Sequence, residues 1–364
     1  MFKSANPVVT PLHAGSEKRL EVIVIGAGLC GLGAAIALRL AGHSVTVIES
    51  VANLEEVGAG LQITPNGTRL LRRWGVDKLL VGATPPETFS MKRFDGRLLA
   101  HRDGYSRELE ERYGSPLWCL HRADLQRALA ERAITLGANI RLGTTVSRVE
   151  PESGVVVLQS GERVVGDLIL GADGLWSTSR SAMFPSEPRQ QPLPTGDLAY
   201  RILVDRECMS DTELSKQFEK PGIHIWVGPG VHAVAYSIRE GRWVNLVLLV
   251  PDTLPSHVDK AKGELAEMQA LFEGWDPMLT KVLDQTDKVL KWRLNHLPPL
   301  PHWTTAEGRF VIAYVSRSPI LSVQSTLTDE SIAVTAHIRC YRTWHKARTH
   351  PWRMQRHWRL SCRT

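Results

Sequence analysis

Residues 20–49, LEVIVIGAGLCGLGAAIALRLAGHSVTVIE, constrain the fold of this chain more than any other stretch. Residues 20–25 are a short apolar run rich in β-branched side chains, and they feed Gly26-Ala27-Gly28-Leu29-Cys30-Gly31, a G-x-G-x-x-G turn. Each glycine has its own use. Gly26 permits the tight turn, Gly28 lets a pyrophosphate approach the backbone, and Gly31 lets the following helix lie close to the sheet. Gly33, Ala34, Ala35 and Ala37 keep that helix slim, so its positive N-terminal end faces a phosphate. Residues 45–48 read as a second parallel strand, ended by Glu49, which is placed to accept hydrogen bonds from a ribose 2′- and 3′-hydroxyl. Such a turn on its own also arises for packing alone. With both strands, the helix and the acid in register, it marks a dinucleotide-binding unit.

The 364 residues leave room for about two domains, and a 43% hydrophobic, 23% charged composition is ordinary for a soluble enzyme. Residues 1–19 are polar and broken by prolines, and are expected to be a disordered tail rather than a signal peptide. No apolar run approaches the length of a membrane span. The five cysteines (Cys30, Cys119, Cys208, Cys340, Cys362) are odd in number and scattered. That argues against a disulfide framework or a zinc site and for a reducing, cytoplasmic setting. No metal is expected, since His121, His224, His232, His296 and His302 lack ligand spacing. The formal net charge of +6 is carried by the end of the chain: from Ser331 onward there are eight Lys and Arg and no Asp or Glu. The body is therefore slightly acidic, and no nucleic-acid partner is expected for it.

Beyond Glu49, Glu56-Val57-Gly58-Ala59-Gly60-Leu61-Gln62-Ile63 suggests backbone running close to a ligand, and Thr64-Pro65-Asn66 opens a helix through Trp74. His121-Arg122-Ala123-Asp124-Leu125-Gln126 opens another, ending near Gly137. Short strands follow at 140–142, 145–149, 155–158 and 163–165, then a fresh apolar strand at 167–171 running into Ala172-Asp173-Gly174. From about 198 to 250 the pattern changes to strands joined by turns, the mark of an inserted antiparallel sheet. Residues 291–294 and 309–312 are expected to return to the first domain.

Three stretches in this order, GAGLCG with Glu49, LHRADLQRAL at 120–129 and DLILGADGLWSTSR at 167–180, resemble the single-component FAD-dependent aromatic hydroxylases. These are the salicylate-hydroxylase-like monooxygenases, and the likeness is nearest to the fungal secondary-metabolism branch. The resemblance covers roughly residues 20–312. It implies an α/β fold: a Rossmann-type FAD-binding domain (20–190, with a return at 290–313) carrying an inserted, mostly antiparallel β-sheet substrate domain (191–289). It also implies bound FAD, transient NADPH or NADH, and hydroxylation of a phenolic or polyketide-derived aromatic by O2 through a flavin hydroperoxide. Only one dinucleotide fingerprint is present, so the nicotinamide is expected to visit and leave.

Carried over by motif, Asp173 and Gly174 lie near the flavin, Arg122 reaches the FAD, Gln126 follows it by one helical turn, and Gln62 lies along the cofactor, chiefly through its backbone. Arg201 and Tyr236 match positions that line the substrate pocket. An electrophilic oxygen donor needs an electron-rich ring, so Arg201 is expected to stabilise a phenolate and Tyr236 to orient it or shuttle its proton. The plainer alternatives are an exposed strand arginine and a half-buried sheet tyrosine.

The sequence departs from the family after Ile312. A Gly-Asp pair is expected there, leading to a helix that meets the pyrophosphate; the chain instead reads Ala313-Tyr314-Val315-Ser316-Arg317-Ser318-Pro319. Asp329-Glu330-Ser331-Ile332-Ala333-Val334 faintly resembles the acidic start of a later family helix. Residues 337–364 hold eight Lys/Arg, four His and three Trp without an acid. This divergent basic tail (314–364) reads as a frame-shifted, mis-spliced or incorrectly predicted end; a nucleic-acid or membrane-binding segment is the rival. Two functions stay open: an active monooxygenase, and an inactive remnant that binds FAD weakly or not at all.

Overall fold

The computed structural model describes residues 19–54, 60–186, 191–209 and 211–313. The expectations for residues 1–18, for Gly58 and its neighbours at 55–59, and for the tail beyond Ala313 lie outside these.

Five parallel strands form the first sheet, in the order Phe310–Ile312, Leu168–Gly171, Glu21–Ile25, Ser44–Ile48, Asn139–Arg141. Parallel strands are covered on both faces, and the alternation inside Glu21–Ile25 serves both. Val22 and Val24 face the Leu29–Leu40 and Arg122–Thr135 helices, packing on Leu32, Ile36, Leu125 and Ala128. Ile23 and Ile25 face Ile169, Phe310, Val156 and Met183. The chain leaves the central strand toward Ser44–Ile48 and later returns on its other side as Leu168–Gly171. This reversal opens a crevice outside the carboxyl ends of those strands, where α/β sheets bind ligands.

The second sheet has eight strands, ordered Lys260–Lys262, Leu290–His296, Leu193–Asp205, Trp243–Pro251, Val231–Ile238, Gly222–Gly228, Thr88–Arg93, Leu98–Asp103. One face packs on the Thr212–Gln217, Leu265–Ala270 and Pro277–Asp284 helices through Leu198, Tyr200, Ile202, Trp226 and Leu246. The opposite face turns toward a separate two-stranded antiparallel ribbon, Gly60–Ile63 with Trp118–His121, where Ile223, Ile225, Tyr236 and Ile238 meet Leu117 and Cys119.

Two expectations are corrected here. Lys291, Trp292, Arg293 and Leu294 do not return to the first sheet; they pair with the Leu193–Asp205 strand. Lys291 and Arg293 are buried there by Glu267 at 2.5 Å and Asp252 at 2.6 Å, so a strand with two cations still finds a half-buried place. The return is made at Phe310–Ile312 alone. The large sheet is also not drawn only from the expected insertion: Thr88–Arg93 joins it by parallel pairing with Gly222–Gly228 and brings Leu98–Asp103 with it. No helix among the described residues is long and apolar enough to cross a membrane.

Candidate cofactor and substrate site

The glycine turn sits at the mouth of the crevice, and its three glycines divide by what surrounds them. Gly26 has φ +102°, and a Cβ there would lie 2.5 Å from the Ala172 carbonyl oxygen. A Cβ on Gly31 would lie 2.0 Å from the carbonyl oxygen of Gly26. Both are demanded by packing. Gly28 is different: nothing stands within 4 Å of a Cβ built on it. It is the N-cap of the Leu29–Leu40 helix, with no side-chain cap and no acid in the first turn. An uncapped helix end with open space above it suits an anion.

Ala27, between the first two glycines, is held from both sides. Its N–H donates to Glu49 Oε2 at 2.6 Å, and its carbonyl accepts from Gln126 Nε2 at 2.9 Å. Glu49 Oε1 also accepts from the Ser50 hydroxyl and the Val51 N–H, each at 3.0 Å. The acid thus braces the turn and keeps only part of its acceptor capacity for a ribose. Gln126 is 5% exposed, and its Oε1 is buried without a hydrogen bond. A buried acceptor left open beside a glycine turn fits a ligand that brings a donor. Arg122, half-buried, is the first residue of the same helix, and His121 before it pairs with Gly60.

Asp173 and Gly174 form the other lip. Gly174 has φ +73° and open space about its Cα. The Asp173 carboxylate is spent on its own turn: it accepts from Ser177 Oγ at 2.5 Å, Thr178 N at 2.9 Å, Thr178 Oγ1 at 3.0 Å and Ser179 N at 2.9 Å. It therefore anchors the Thr178–Met183 helix and shapes the lip. A cleft between this turn and Ile312–Ala313 is lined by Arg180, which donates to the Pro298 carbonyl at 2.6 Å. Gln62 lies on the Gly60–Ile63 strand opposite Cys119, and its Oε1 is also buried without a partner. The expectation stressed its backbone; the side chain offers an acceptor as well. The uncapped helix, the space at Gly28 and Gly174, and the open Gln126 and Gln62 acceptors fit an FAD.

Arg201 and Tyr236 share the face of the large sheet that turns toward the Gly60–Ile63 and Trp118–His121 ribbon. The register Arg201↔Val247↔Val234 puts Arg201 two strand spacings across from Val234, and Tyr236 two residues further along, a diagonal of about 12 Å. Arg201 is half-buried, with its guanidinium 4.8 Å from the centre of the Trp292 ring, which also receives Lys260 at 4.3 Å. Tyr236 is 5% exposed and lies against Gly60, where a Cβ would come within 2.6 Å of its ring and 2.8 Å of its hydroxyl. So the two are brought to one face: Arg201 stands beside Trp292, and Tyr236 is buried at the seam.

Asn245 went unnoticed in the sequence. It sits opposite Tyr236, accepts the Gly60 N–H at 2.7 Å, and keeps a buried Nδ2 without a partner. A lone amide inside the apolar run WVNLVLLV was the available signal. His224, by contrast, belongs to the opposite face, bonded to Ser90 at 2.8 Å beside Phe218. Burial, helped by Lys92 and His101, lowers its pKa to about 4, so it is neutral there.

A glycine turn at the switch point of a parallel sheet, in a chain with a second large sheet, defines a dinucleotide-binding protein. Residues 19–196 match the family described as FAD binding domain. The FAD-dependent monooxygenase OpS4 of Beauveria bassiana (strain ARSEF 2860) is 48% identical over 307 residues, 83% of this chain and 71% of OpS4. The 3-hydroxybenzoate 6-hydroxylase of Polaromonas naphthalenivorans (strain CJ2) is 29% identical over 290 residues, 78% of this chain and 70% of that enzyme. In fold, CtdE in complex with FAD and substrate 4 superposes with a TM-score of 0.74 at 19% identity, covering 87% of this chain and 78% of CtdE. The chain belongs to the FAD-dependent monooxygenases.

Proposed function

We propose that this chain hydroxylates a phenolic or polyketide-derived aromatic compound, using NADPH or NADH and O2. The observation that carries this is the placement of Arg201 on the sheet face that looks toward the ribbon carrying Gly60 and Gln62, braced on Trp292. FAD held by the Gly26–Gly31 turn, Gln126 and Gln62 would take hydride from the nicotinamide and activate O2 for transfer to the ring. The chain's residues do the rest. The Arg201 guanidinium stabilises the substrate oxygen as a phenolate, which enriches the ring at the carbon to be attacked. The Tyr236 hydroxyl, at the seam with Gly60, holds or moves the phenolic proton. The apolar neighbours Val234 and Val247 keep water from the ring.

A second reading is an inactive relative that holds FAD weakly. It is favoured by Ala313-Tyr314-Val315 standing where the family carries Gly-Asp. The absorption spectrum of the purified chain separates the two. Oxidised flavin absorbing at roughly 350–500 nm in near-stoichiometric amount, with substrate-stimulated NAD(P)H oxidation, supports the first reading. A colourless chain that cannot be reconstituted with FAD supports the second.

A further inference from the structure

Among the described residues, Arg239 and Glu240 alone take positive φ without being glycine, at 50° and 59°. They turn the hairpin between Val231–Ile238 and Trp243–Pro251. Asn-Gly fills such a turn with little strain, whereas Arg and Glu resist the left-handed region. What Arg239 gains is a partner in the other sheet's helix layer. Its Nε donates to Asp124 Oδ2 at 2.9 Å and a terminal nitrogen donates to Oδ1 at 3.2 Å. Asp124 is 6% exposed and also receives Arg127 at 2.7 Å. The Glu240 N–H donates to the buried Thr84 hydroxyl at 2.8 Å, and Gly82 passes so close that a Cβ on it would lie 3.0 Å from Arg239 Cα.

Both ends of this contact lead into the site. Asp124 sits in the first turn of the Arg122–Thr135 helix, whose Gln126 holds the Ala27 carbonyl in the glycine turn. Arg239 follows the strand end that carries Tyr236, and Asn245 opposite Tyr236 holds Gly60. One connected path runs from Ala27 through Gln126, Asp124 and Arg239 to Tyr236. A turn needed only to close the hairpin has no use for a forked cation in a strained backbone.

We propose that Asp124 and Arg239 are positioning residues: their ion pair fixes the sheet face carrying Tyr236 against the turn that receives the dinucleotide. This rests on the FAD reading for its consequence and on the ion pair for its mechanics.

The test uses the full chain with Arg239→Asn and Glu240→Gly combined, which relaxes the turn while removing the fork. The melting temperature should equal or exceed that of the wild type. Hydrogen exchange at the Gly60 amide, measured without cofactor, should quicken about tenfold, as expected for loss of a charge-assisted bond. The dissociation constant for added FAD should rise about tenfold. Arg239→Lys, which keeps the charge but not the fork, should fall between. Wild-type exchange and wild-type FAD affinity in the double variant overturn the proposal. So does Arg239→Lys matching the wild type in both while the double variant merely melts lower. If the wild type itself takes up no FAD, the function proposed above fails, and the exchange comparison decides the positioning claim alone.

Discussion

Asn245 accepts the Gly60 amide proton at 2.7 Å, and the Tyr236 ring closes over the same glycine. The Gly60–Ile63 strand and the large sheet therefore meet at a point with no room for a methyl group. Gly60→Ala should destabilise the fold by about 1–3 kcal/mol, the usual cost of overpacking. Denaturant unfolding measures it. A variant as stable as the wild type would mean the seam is looser than described.

The glycine turn makes a sharper forecast, because its glycines differ in surroundings. Gly28→Ala should leave the unfolding transition of the cofactor-free chain nearly unchanged yet abolish stabilisation by added FAD, since its methyl enters open ligand space. Gly31→Ala drives a Cβ to 2.0 Å from the Gly26 carbonyl and should lower stability with or without FAD. Thermal melts with and without FAD distinguish them; equal behaviour of the two variants contradicts the assignment.

Arg201→Ala should abolish hydroxylation while leaving flavin content intact, because Arg201 stands on the large sheet beside Trp292. Product formation and the flavin-to-protein absorbance ratio are the two readouts. Parallel loss of both would move Arg201 to a structural role.

His224 gives stability a definite pH dependence. Its folded pKa is lowered to about 4, first by burial, then by Lys92 and His101, against an unperturbed 6.5. Above pH 6.5 neither state binds the proton and the contribution is complete. Between 6.5 and about 4 the unfolded chain takes up a proton that the native chain refuses, so stability falls with acidification. The whole loss is about 3 kcal/mol. His224→Gln should flatten the slope of unfolding free energy across that window; an unaltered slope would assign it to other groups.

Much of the first sheet was legible because its signals are local. Apolar strands, the glycine turn and the acid at 49 lie within one continuous stretch, and Gly31's neighbour Gly26 is close in sequence, although the Ala172 carbonyl that crowds Gly26 is not. The second sheet was legible only in its middle. Thr88–Arg93 gained its place from Gly222–Gly228, far along the chain, and nothing in TFSMKR announces a parallel partner. Leu290–His296 was misplaced because Lys291 and Arg293 look exposed until Glu267 and Asp252 arrive. Asp124 likewise reads as an ordinary acid in a helix's first turn; its partner Arg239 is 115 residues away. Asp173 was expected beside the flavin and is found with its carboxylate committed to four donors of its own turn.

The parallel union of Thr88–Arg93 with Gly222–Gly228 also governs the order in which this molecule can be completed. During synthesis the Thr88–Asp103 hairpin emerges early, with one edge bare, and waits for a strand made much later. An open edge is a hazard for wrong pairing, and long-range closure is slow. Swapping the large sheet between relatives to change substrate preference therefore requires moving two separate gene segments together, since either one alone sets strands from different proteins side by side at that pairing.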